Sequence, residues 1–94
     1  MNNSMEFFKA VRKIITDYFS CDLSCLDINR IAFSFGDGDL CKGLDESEIK
    51  DRYVFWLKNC IVQHFPDAIK VLENENSLKA ISEEIYKKGK EIFY

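Results

Sequence analysis

Proline and histidine occur once each in this chain, and glycine occurs 4 times among 94 residues. So few breakers exclude a loop-rich all-β fold and favour helices. No apolar run reaches the roughly 18 residues of a membrane span. The start, Met1 to Glu6, lacks a basic segment followed by an apolar core, so no signal peptide is expected. The chain therefore reads as cytoplasmic, with Cys21, Cys25, Cys41 and Cys60 expected as reduced thiols. A sequence pI near 5.1 leaves no broad basic patch for nucleic acid. The short basic clusters Lys9, Arg12, Lys13 and Lys87, Lys88, Lys90 read as solvated helix faces.

What is present is apolar and aromatic. Hydrophobic residues make up 47% of the chain and aromatic ones 14%, which excludes disorder. The length fits one domain over residues 1–94. Met5 to Phe19 repeats apolar residues at helical spacing, with Ser4 as its expected N-cap. Ser24 to Ala32 reads as a short helix capped by Ser24, with Leu26, Ile28 or Ile31 and Phe33 facing inward. The alternation of Ile31, Phe33 and Phe35 also permits a strand over 31–35. The helix is preferred, because a lone strand leaves its backbone unpaired.

A long helix is expected over 46–65, with Ile49, Tyr53, Trp56, Leu57, Cys60, Ile61 and His64 on one stripe. Val54, Phe55, Val62 and Phe65 widen its apolar surface, which places it at the centre of the core. Pro66 ends it and suits the first turn of a further helix to Glu73. A break follows at 74–77, and Ser77 caps a last helix that Gly89 weakens near its end. The fold class expected is all-α: a compact bundle of four to five helices with the 46–65 helix central. The alternative is α+β with a short strand at 31–35.

Charge is concentrated in one place. Phe35 to Glu48 holds Gly36, Gly38 and Gly43, together with Asp37, Asp39, Asp45, Glu46 and Glu48 against Lys42 alone. That gives the run a charge of −4, while the whole chain carries −3. Asp45 stands three residues before Glu48, as in a capping box that opens the long helix.

Four chemistries draw on residues of these types. Asp37, Asp39 and Glu48 match positions 1, 3 and 12 of an EF-hand, but Cys41 is a soft ligand and Lys42 replaces the turn glycine. Cys21 with Cys25, and Cys60 with His64, are spaced to share helix faces and converge on zinc, but the tight knuckle spacing is missing. Cys60 and His64 lack an accompanying oxyanion turn, so no enzyme is expected. No cofactor and no metal is assigned. The fourth chemistry is a protein-binding surface formed by Asp37, Asp39, Asp45, Glu46, Glu48, Tyr53 and Trp56, in which rim acids steer a basic partner and aromatics anchor it.

In length, acidity, helix content and the pairing of acids with aromatics over Asp37–Trp56, the chain resembles in type the small immunity proteins of bacterial toxin systems, such as contact-dependent growth inhibition. It carries no motif of a particular immunity family. The resemblance implies a cytoplasmic, non-catalytic inhibitor that covers the active site of a basic partner such as a toxin nuclease. Two other readings stay open. One is a metal-binding regulator using Cys21, Cys25, Cys60 and His64. The other is a subunit of a larger assembly, with Phe55, Val62 and Phe65 exposed until a second chain covers them.

Overall fold

The computed structural model describes residues 3–20, 25–35, 41–65 and 75–94. Among these are four helices and no strand: α1 (Asn3–Phe19), α2 (Leu26–Ala32), α3 (Glu46–His64) and α4 (Glu75–Phe93). The all-α expectation holds. The helix expected over 66–73 lies outside the described residues. The Cα radius of gyration, 12.6 Å, is close to the roughly 12 Å of a folded chain of this length.

The boundaries follow local chemistry, with corrections. α1 starts at Asn3, so Ser4 lies inside its first turn rather than capping it. It ends at Phe19, where Ser20 turns to a positive φ of 57° and its N–H donates to the Thr16 carbonyl at 2.8 Å. The N-cap of α2 is Cys25, in extended conformation and without a side-chain capping bond. Glu75–Ser77 already belong to α4, so the break expected at 74–77 does not extend over them, and Ser77 is not its cap.

Packing of apolar faces closes the four helices into a ring of neighbours: α1 on α2, α2 on α3, α3 on α4 and α4 on α1. The core gathers Phe7, Val11 and Ile15 from α1, Ile28 and Ile31 from α2, and Leu78, Ile81 and Ile85 from α4. α3 adds Ile49, Tyr53, Trp56, Leu57, Cys60 and Ile61. This is the expected stripe without His64, which is exposed at the end of the helix.

The 31–35 segment is the hub of the aromatic core. Ile31 and Ala32 finish α2, Phe33 turns outward, and Ser34 and Phe35 turn back inward. A strand would have put Phe33 on the same side as Ile31 and Phe35. The helix-to-turn geometry separates them, and Leu26 also points outward. The Phe35 ring stacks on Phe93 at 5.6 Å and meets Phe7 edge-on at 5.4 Å. Gly89 makes room for it: a Cβ there would lie 2.7 Å from Phe35 Cδ2 and 2.9 Å from Cζ.

Candidate partner-binding face of α3

The described part of the acidic run begins at Cys41. The Leu44 N–H donates to the Cys41 carbonyl at 3.0 Å, and Gly43 has φ +87°, as a type II turn requires at its third residue. The glycine that falls one residue late for a calcium loop thus serves the turn before α3. Asp45 caps the helix: its Oδ1 accepts from the Glu48 N–H at 2.9 Å. Glu46 and Glu48 lie in the first turn, where the helix dipole favours acids. Asp45, Glu46 and Glu48 are all exposed. Asp37 and Asp39 lie outside the described residues.

The two aromatics expected as anchors are placed elsewhere. Tyr53 is 0% exposed and Trp56 9%. Both point toward the bundle because they fall on the stripe with Ile49, Leu57 and Cys60. Ser34 Oγ donates to the Ile31 carbonyl at 2.7 Å, so the Tyr53 hydroxyl is the donor in its contact with Ser34 Oγ. Tyr53 is thereby a buried, hydrogen-bonded tie between α3 and the segment after α2. Neither ring is a surface anchor in this chain.

A different aromatic stands beside the acids. Among the described residues α3 packs chiefly on α2 and α4, and the side turned away from them carries exposed side chains. Glu48, Asp51, Phe55, Lys58, Val62 and Phe65 follow one another at alternating three- and four-residue steps. That spacing keeps side chains on one face of a helix and is the spacing of a coiled-coil seam. Phe55 is 58% exposed, Val62 49% and Phe65 42%. Phe55, Val62 and Phe65, which widen the apolar surface of α3, lie at the surface because α2 and α4 pack on its other side. The seam is acidic toward the N-terminus of α3 and apolar toward its C-terminus.

The opposite shoulder of α3 is tied to α4. Lys50 Nζ donates to Glu83 Oε1 at 2.8 Å and lies 3.6 Å from Glu46 Oε1. The hydrogen bond that Lys50 donates to Glu83 raises the Lys50 pKa above 10.5; desolvation opposes this, and the charges of Glu46 and Glu83 reinforce it. Lys50 and Lys90 also stand over the Tyr86 ring, at 5.3 Å and 5.9 Å from its centroid. An open groove of about 810 Å³ runs past Glu46, Lys50, Tyr86, Lys90 and Tyr94. Nothing in the sequence pattern pointed to this cluster, because Lys50 and Glu83 are far apart along the chain and meet only through packing.

The cysteines differ from expectation. Cys25 and Cys60 form a disulfide between the start of α2 and the core face of α3. Cys41 is a buried thiol outside that bond. While Cys25 and Cys60 are joined to each other, neither sulfur is a free thiolate for zinc, and Cys60 offers no thiol for His64 to activate. Among the described residues, no three His, Cys, Asp or Glu side chains gather around a metal position. Cys21 lies outside them. Among the same residues, no helix is long and apolar enough to cross a membrane.

The chain matches no protein-family model, no curated protein and no solved structure.

Proposed function

We propose that this protein is a non-catalytic binding module that neutralises a basic partner, an inhibitor of the immunity-protein type whose target is a toxin nuclease. The observation that carries the reading is the outer seam of α3, where Glu48 and Asp51 run directly into Phe55 and Val62. Acids at a rim raise the rate of encounter with lysines and arginines, and desolvated aromatics hold the complex once formed. Phe55 and Val62 take the anchoring role that Tyr53 and Trp56, being buried, do not fill. Glu46, Glu48 and the acids of the preceding run would occupy the cations with which a nuclease grips phosphate. The partner on this reading is a protein rather than nucleic acid, and the encounter takes place in the cytoplasm.

A second reading has its own support. Exposure of Phe55, Val62 and Phe65 together also suits a subunit whose α3 face is covered in a larger assembly. The two are separated by light scattering on the purified protein and affinity capture with it as bait. The inhibitor reading expects a monomer alone, and a basic protein captured by the native chain. A Phe55→Ser, Val62→Ser double variant keeps the fold, because both side chains are exposed, and weakens that capture by about tenfold or more. A stable homo-oligomer that the double variant dissociates would overturn the inhibitor reading in favour of the subunit.

A further inference from the structure

We infer that Cys25 and Cys60 are a reversible dithiol/disulfide site that latches α2 onto α3, closed by a small disulfide oxidant such as oxidised glutathione. This goes beyond the binding reading and does not depend on it. The Cα atoms of the pair are 6.2 Å apart, within the span a disulfide bridges without backbone movement. The two sulfurs differ in access. Cys60 is fully buried on the core face of α3, whereas Cys25 is half-buried at the start of α2.

That asymmetry sets the order of events. The Cys25 thiolate attacks one sulfur of the small disulfide, forming a mixed disulfide and releasing one small thiolate. The Cys60 thiolate then attacks the Cys25 sulfur and expels the second small thiol. The protein dithiol loses two electrons, the small disulfide gains them, and the two thiol protons pass to the two released thiols. Cys60 is out of reach of a bulky reagent, so it acts only on Cys25. Opening runs in reverse, with an external thiolate entering at Cys25.

The latch acts on the least self-sufficient helix. α2 has 7 residues and its N-cap carries no side-chain hydrogen bond. A helix so short owes its order to tertiary contacts. The bond closes a sequence separation of 35, which takes in α2, Phe35, the acidic run and most of α3. Opening it frees the start of α2 while leaving the packing of α1 on α4 in place.

The test uses the full chain, first reduced with a dithiol and then equilibrated with oxidised glutathione. Peptide mapping is expected to recover a Cys25–Cys60 linked peptide that a dithiol abolishes. Hydrogen exchange at α2 amides is expected to quicken by about tenfold or more in the reduced protein, with the α1 and α4 amides unchanged. A Cys25→Ser, Cys60→Ser double variant should match the reduced protein in both oxidising and reducing buffer. Failure of oxidised glutathione to yield the linked peptide would overturn the proposal. So would equal α2 exchange in the oxidised and reduced forms.

Discussion

The hydroxyl of Tyr53 joins α3 to the segment after α2 through Ser34 Oγ. The stripe through Ile49, Tyr53, Leu57 and Cys60 is legible as one helix face, and a face shared with those residues is a core face. What periodicity does not carry is the partner of the hydroxyl, Ser34, which is 19 residues away. Tyr53→Phe removes that donor while Ser34 keeps its bond to the Ile31 carbonyl, so the expected loss is about 1 kcal/mol of unfolding free energy in a urea titration. Gly89 is the converse case. Replacing it with alanine gains about 1 kcal/mol of helix propensity. The new Cβ, however, meets a Phe35 ring already fixed by Phe7, Tyr86 and Phe93, and overpacking of this kind costs about 1–3 kcal/mol. Gly89→Ala is expected to lower the melting temperature. A raised value would mean that Phe35 moves aside freely. The sequence showed a weak point in a helix because the ring it accommodates comes from the other half of the chain.

Among the helices, α3 shows both what local signals give and what they miss. Its start was legible in Asp45-Glu46-Ser47-Glu48, because capping is a matter of three residues and one backbone N–H. Asp45→Ala is expected to cost about 1 kcal/mol, and Asp45→Asn much less because the amide oxygen still accepts. Thermal unfolding of the two variants distinguishes capping from a general charge effect. Its open face was legible only as one alternative, the exposed Phe55, Val62 and Phe65 of a subunit, since an apolar residue at 55 or 62 reads the same whether or not another helix covers it. The same limit applied to Lys50, which joins α3 to α4 through Glu83. The folded pKa of Lys50 is raised, so its stabilising contribution is complete below the ordinary value of 10.5 and is lost as pH rises through the folded value. The stability difference between the native chain and Lys50→Met should therefore be constant around neutrality and shrink as pH rises beyond 10.5. A difference that persists unchanged there would assign Lys50 a packing role instead.

For the molecule as a whole, helix content was evident in the scarcity of glycine and proline, while the arrangement of the helices was not. No spacing rule relates Cys25 to Cys60, so only the packing of α2 on α3 brings them together. Closing a loop of that length restricts the unfolded chain, and its loss is expected to lower stability by about 2–4 kcal/mol, read as a lower melting temperature in dithiol. The charge distribution, in contrast, was apparent from the start. The acidic run carries more than the net charge of the chain, and in the fold its described end opens onto the seam bearing Phe55 and Val62. On the proposed reading, these acids steer a basic protein onto α3. This steering is tested most directly by the association kinetics of the captured partner with the native chain and with a variant carrying D37N, D39N, D45N, E46Q and E48Q, at low and at physiological salt. The variant is expected to associate more slowly and with a flatter dependence on salt. Unchanged association at low salt would contradict it.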